Sequence, residues 1–347
     1  MRAMGDFAQP IRMLALCSWA LVAPVFAQDA PGLQNDVTFT AGAPLMSNAE
    51  IVRRLFSPLT AQHIAQALAQ SGKTLSGQPL DPAQERFVLY VPAQKPPQSY
   101  ALLVFVPPWD DAKLPPGWAS ALDQYGAIFV SAARSGNDAN VVERRVPLAL
   151  LAAQNIMQRY PVDPEHVYIA GFSGGARVAL RLALGYPDVF RGALLSAGSD
   201  PVGTAALPLP PKDLFARFQE SSRLVYMTGE DDSAALNADT ASRDSLHRLC
   251  VFGVQTENIP AAGHAVADRA ALSRGLNALF NPPSANSGDL SVCRASLEAD
   301  LAEQFRQAET LFTSGDRDGA RKRLDAIDAH FGGLAAPESV ELQAKLP

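Results

Sequence analysis

VYIAGFSGGARVAL, Val167–Leu180, is the stretch on which the rest of the chain turns. A β-branched and aromatic run stops on Gly171, presents Ser173 between glycines, and resumes after Gly175 with the spacing of a helix. Glycine, serine and glycine at alternate positions arise by chance in about one chain in ten of this length, taking each residue at about 7%. The pentapeptide therefore gains weight only from its flanks. A strand before it and a helix after it predict a sharp turn that lifts the serine hydroxyl clear of a sheet, with glycines where a Cβ would obstruct. The helix beginning just after Ser173 adds partial positive charge where an oxyanion would form.

Working outward, RFVLYVP (86–92) and YALLVFVPP (100–108) are strand-like runs separated by AQKPPQS, which predicts a hairpin or neighbouring strands. YGAIFVSAA (125–133) is a third strand, and Pro147–Tyr160 carries Leu148, Leu151, Ala152 and Ile156 on one helical face, stopped by Pro161 and Pro164. The helix after Ser173 runs from about Gly175 to Leu184 and stops at Gly185 and Pro187. GALLSAG (192–198), RLVYMTG (223–229) and FGVQTENIP (252–260) supply further strands, with helical patterns between the last two and after His264. Strands alternating with helices and apolar on both faces predict an α/β architecture, a mainly parallel sheet covered by helices on both faces, over residues 84–282.

The remaining segments read differently. Arg2 and Arg12 precede MLALCSWALVAPVFA, which ends in small residues, so residues 1–27 are expected to be a secretory signal peptide cleaved after Ala27. Cys17 follows the bulky Leu16, unlike a lipidation site. The mature chain is expected to be secreted or periplasmic, and its two remaining cysteines, Cys250 and Cys293, to be paired. Residues 28–83 form a polar N-terminal extension with one predicted helix, Asn48–Gln70. Beyond the linker NPPSANSGD, residues 283–347 predict a small helical hairpin of tetratricopeptide-like kind, Leu297, Leu301, Phe305 and Leu311 against Ala320, Leu324, Ile327 and Phe331. A single repeat cannot stack into a solenoid. Packing of the pair on the main domain is expected, with a protein partner on the same helices as the alternative.

Composition narrows the class. The 347 residues are 48% hydrophobic and 18% charged with a net charge of −6, ordinary for a globular chain. An acidic balance with no basic cluster argues against nucleic acid, and no later apolar run would span a membrane.

A serine hydroxyl becomes a useful nucleophile when a base takes its proton and a third group orients that base. RLVYMTGEDDSAAL offers Glu230, Asp231 and Asp232 just past a strand. Asp232, three residues after Gly229, is preferred; Asp231 is the near alternative and Asp200, after GALLSAG, the third. Capping of the following helix is the structural alternative for Asp232. Among five histidines, His63 lies in the extension helix, His166 at the wrong end of a strand, His247 in a helix and His330 in the tail. His264, in IPAAGHAVAD, follows a strand through a small-residue loop and comes after both serine and acid, so it is the expected base. Arg177 could hold a substrate carboxylate or form a surface ion pair. Gly72-Lys73-Thr74 lacks the earlier glycine of a phosphate loop, since position 67 is Ala67, and no motif calls for a metal or cofactor.

AGFSGGARVAL, TGEDD and AAGH, in that order, resemble the α/β-hydrolase superfamily. GWASALDQYGAIFVSAARSGN followed by RYPVDPEHVYIAGFSGG is similar to secreted esterases related to polyhydroxybutyrate depolymerases and feruloyl esterases. The resemblance implies an α/β-hydrolase fold, a triad of Ser173, Asp232 and His264, and cleavage of a small or polymeric ester through an acyl-enzyme. Such enzymes carry a His-Gly pair after the third strand, whereas this chain has FVPPWDD. Pro107 and Pro108 have no N–H, so the oxyanion donors are expected to be the amides of Gly174 and of Trp109 or Asp110. A carboxylate beside a developing oxyanion opposes reaction unless it turns away. The alternatives are a binding protein on a hydrolase scaffold and a serine peptidase of the same fold.

Overall fold

The computed structural model describes residues 30–282 and 287–346; the expected signal peptide lies outside them. In chain order the first half contains β1 (Gly32–Val37), α1 (Asn48–Leu55), α2 (Pro58–Gln70), β2 (Phe87–Val91), β3 (Tyr100–Val106), α3 (Trp118–Tyr125), β4 (Ala127–Ala132) and α4 (Val146–Arg159). There follow β5 (Val162–Phe172), α5 (Gly174–Gly185), β6 (Gly192–Ser196), α6 (Lys212–Ser221), β7 (Arg223–Met227), α7 (Ser233–Arg248), β8 (Val254–Thr256) and α8 (Arg269–Phe280). The tail comprises α9 (Ser287–Thr313), α10 (Arg317–Phe331) and α11 (Glu338–Ala344).

The strands form one eight-stranded sheet in the order β1-β2-β4-β3-β5-β6-β7-β8. β2 runs antiparallel to both neighbours, and every pair from β4 to β8 is parallel. Side chains alternate between two cores: Leu102 and Val104 of β3 face one, Leu103 and Phe105 the other. The first core is closed by α4 and α5, with Leu151, Ile156, Val178 and Leu182, and the second by α3 and α8, with Trp118, Leu122, Leu272 and Leu276. Burial on both faces is why these strands read as continuous apolar runs rather than alternating ones.

Two local expectations are corrected. β2 and β3 are not neighbours, because β4 lies between them and pairs with both. The connection Pro92–Ser99 carries the chain across one intervening strand, a step of about 10 Å, and so makes no tight hairpin. The single extension helix is two, α1 and α2, because the residue before a proline is driven to extended backbone; Ser57, before Pro58, has φ −67° and ψ 155°. Beyond those, β1, α3, α6 and α11 add to the elements read from the sequence.

Extension and tail meet in a third core. Leu59 of α2 packs with Leu324, Ile327 and Phe331 of α10 and with Leu342 and Leu346. Buried Asp328 of α10 accepts hydrogen bonds from the Leu59 amide (3.1 Å) and the Ser57 hydroxyl. The α10 face considered above for a partner is thus covered within the chain. A Cys250–Cys293 disulfide joins the end of α7 to α9, and Arg294 of α9 donates to Ala216 O (2.7 Å), Gln219 Oε1 (2.7 Å) and Glu220 Oε1 (2.8 Å) on α6.

Candidate active site

Parallel strands β3, β5, β6, β7 and β8 end on one edge of the sheet, and the chain reverses its order of addition at β3. Crevices at such edges are where open α/β sheets present their functional groups. Ser173 lies there, in the turn from β5 to α5, with φ 55° and ψ −123°. A non-glycine residue in that region is strained and must be held by its surroundings. The Ser173 amide donates to Ser196 O at 2.8 Å, and α5 starts at the next residue.

The neighbouring glycines allow this turn. A Cβ on Gly171 would come within 2.3 Å of the Gly175 carbonyl, and one on Gly175 within 2.0 Å of Val106 O at the end of β3. Gly198, after β6, passes so close that a Cβ would lie 2.1 Å from Ser173 O. The glycines therefore bring α5, β3 and the β6 loop into backbone contact around one hydroxyl.

The acid and histidine loops are laced together. Ile259 N donates to Thr228 O (2.9 Å), Glu230 N to Ile259 O (3.1 Å) and Asp231 N to Ala262 O (2.9 Å). This places His264 over Asp232, with Nδ1 2.6 Å from Asp232 Oδ2, while Nε2 stands 2.9 Å from Ser173 Oγ. Asp232 is buried and His264 is half exposed, its ring 5.0 Å from that of Phe172. The other Asp232 oxygen accepts from Ala235 N at 3.2 Å, so the residue also caps α7. Capping α7 and bonding His264 are compatible tasks for Asp232 because each uses a different oxygen.

The alternatives fall elsewhere. The Asp231 side chain is exposed, and Asp200 faces Arg177 at 3.5 Å. His166 is bonded to Asp163 (2.7 Å) and stacks on Phe280, and His330 lies by Gly203 O at the tail contact.

In the loop after β3, Asp110 Oδ1 accepts from Gly136 N at 3.0 Å, which engages the carboxylate in a turn. The amides of Trp109, Asp110 and Gly174 have no acceptor among the described residues and remain available as donors. Pro107 and Pro108 use their carbonyls, toward Arg145 (2.8 Å) and Asn137 N (3.1 Å).

Several contributors had no sequence signal. Asn137 packs on Gly174, its Oδ1 only 2.3 Å from where a Cβ would sit, and lines the same cavity as Ser173. Buried Asp239 of α7 accepts from Ser199 Oγ and Thr228 Oγ1, both at 2.6 Å, tying the ends of β6 and β7 behind Asp232. Burial pushes its carboxyl up from the usual range, against the two hydroxyls. No spacing rule links residues so far apart in the chain.

The strand order, the strained serine turn and the helices on both faces define an α/β-hydrolase fold. No protein-family model matches the chain. Over 103 residues it is 33% identical to a poly(3-hydroxybutyrate) depolymerase of Ralstonia pickettii, covering 26% of this chain and 21% of that one. The match thus spans about a fifth of that relative's length. Among solved structures, S-formylglutathione hydrolase FrmB of Staphylococcus aureus superposes with a TM-score of 0.46 at 14% identity, covering 57% of this chain and 93% of that one. FphF, a fluorophosphonate-binding serine hydrolase of the same organism, gives 0.45 at 14% identity, covering 58% and 94%. The fold assignment rests on this chain's own strand order and register.

Proposed function

We propose that this chain is an exported serine hydrolase that cleaves carboxylic esters through an acyl-enzyme. The observation that carries the proposal is the continuous hydrogen-bonded line from Ser173 Oγ through His264 to the buried Asp232 oxygen, at 2.9 and 2.6 Å. Ser173 attacks the carbonyl carbon as His264 Nε2 takes its proton. Asp232 holds the ring so that Nδ1 keeps its proton and Nε2 faces the serine. The oxyanion is held by the Gly174 amide and by an amide of Trp109 or Asp110. His264 then returns the proton to the leaving alcohol. A water molecule, deprotonated by the same nitrogen, releases the acid and restores Ser173.

Export is supported by the charged-then-apolar start of the chain. Ester chemistry is supported by the partial likeness to a depolymerase that by name acts on a polyester. The free amides at Trp109 and Asp110 weaken the binding-protein alternative, whose motive was the proline pair. The test is a fluorophosphonate probe on the folded protein: wild type should gain one adduct, located on Ser173, and Ser173→Ala none. An unlabelled, folded wild type would refute the proposal.

A further inference from the structure

The cavity into which Ser173 opens, about 500 Å³, carries more positive charge than a neutral ester needs. Arg145, Arg177 and Arg181 all line it, with Asp200 and the His264-bound Asp232 as its carboxylates. Arg177 meets Asp200 at 3.5 Å, on the exposed rim. Neither Arg145 nor Arg181 has a carboxylate within 4 Å among the described residues. Arg145 is only 3% exposed, and its Nε and Nη2 go to Ser135 O and Pro107 O, leaving Nη1 without a partner among the described residues. A buried guanidinium held by carbonyls, with Asp110 acting on it only from beyond ion-pair distance, is costly to keep empty. In a chain of net charge −6, three arginines gathered around one cavity run against the overall balance.

We infer that the preferred substrate of this site is an ester carrying a free carboxylate, held by Arg177 and Arg181 over the positive field of Arg145. This rests on the serine hydrolase reading above. With Asp200 and Asp232 counted, the groups of the lining itself sum to one positive charge, which Asp110 outside it offsets only from beyond ion-pair distance, and this suits a monoanion better than a dianion. Arg177 and Arg181 stand one and two turns along α5 from Ser173, about 6 and 12 Å by helical rise. The carboxylate therefore belongs several bonds from the scissile carbonyl. Guanidinium forks suit it, since they bind planar carboxylates in a bidentate way.

The test compares p-nitrophenyl monoesters of adipic and pimelic acids with p-nitrophenyl hexanoate and heptanoate, which match them in length but lack the charge. Wild type should favour the charged series in kcat/KM by about tenfold or more, as for a charged hydrogen bond. Raising salt from about 0.05 to about 0.5 M should shrink that ratio. Arg177→Gln combined with Arg181→Gln should bring the ratio close to one. Arg177→Gln alone, at an exposed position, should lower it partway and guards against misfolding of the double variant. Arg274→Gln, which removes a surface pair with Glu257 and a long bond to Asn258 O, should not alter it. A wild-type ratio at or below one, or a ratio unmoved by the α5 variants, overturns the inference.

If Ser173 takes no fluorophosphonate and neither ester is cleaved, the hydrolase reading fails separately. Thermal stabilisation by the monoamide of adipic acid then still decides the site. Stabilisation by that anion but not by hexanamide, lost in Arg177→Gln with Arg181→Gln, upholds the anion site, and equal effects of the two amides reject it.

Discussion

Asp232 divides its two oxygens between a helix and a histidine, and the two tasks separate by mutation. Asp232→Asn keeps an acceptor for the Ala235 amide but offers His264 the wrong partner. We expect it to retain the melting temperature within about 1 °C while kcat falls by about 10²–10⁴-fold. Asp232→Ala should lose the cap as well and be less stable by about 1 kcal/mol. Thermal denaturation beside steady-state kinetics on one ester checks both. Glu50 supplies a second residue-scale outcome. Hydrogen bonds from Arg53, opposed by burial and aided by Arg54, bring its carboxyl down to about 2 from 4.5. A lowered folded value means that the stabilisation is present above about 4.5 and is lost as the pH falls through the interval to about 2. Wild type should therefore lose stability more steeply in that interval than Glu50→Gln. The difference near neutrality should be about 1 kcal/mol or less, because solvent screens the pair. Urea unfolding at a series of pH values reads it.

At the scale of elements, the turn between β5 and α5 depends on contacts that admit no methyl group. Gly175→Ala would drive a Cβ to 2.0 Å from Val106 O, forcing α5 away from β3. We expect a loss of about 1–3 kcal/mol, with labelling of Ser173 slowed more than stability alone explains. Chemical denaturation and the labelling rate measure the two effects. This element was the most legible in the sequence, because glycine at both flanks of the serine has a local steric meaning. The break between α1 and α2 was missed although Ser57-Pro58 marks it, since Ile51 with Leu55 and Ile64 with Leu68 each keep helical spacing, while the nine residues from Leu55 to Ile64 put the two pairs half a turn out of phase. The order of β2, β4 and β3 was not legible either: three buried runs have the same texture whichever is central, and only their pairing decides.

Across the whole molecule, the extension and the tail pack together against the sheet domain, and the disulfide fixes the tail to that domain. Cys250 and Cys293 are 43 residues apart, for which chain entropy ascribes about 4 kcal/mol to the bridge. The double substitution Cys250→Ser with Cys293→Ser should lower stability by up to that amount, and reductant should then have no further effect, whereas it should destabilise wild type. Denaturation with and without reductant checks this, and Ser173 labelling should persist in the double variant below its melting point, since both cysteines lie away from the sheet edge that carries Ser173.

The sequence by itself determined the alternation of strand and helix, the serine turn, and the order serine, acid, histidine, because each rests on local spacing or on steric limits within a few residues. Only the tertiary structure decided that Asp232 both caps α7 and bonds His264, that Asp110 turns its carboxylate to Gly136, and that Arg145, Arg177 and Arg181 share one cavity. Those facts depend on where separate strand ends meet. A side chain's charge and shape are written in its own codon, but its partners are chosen by the packing of the sheet.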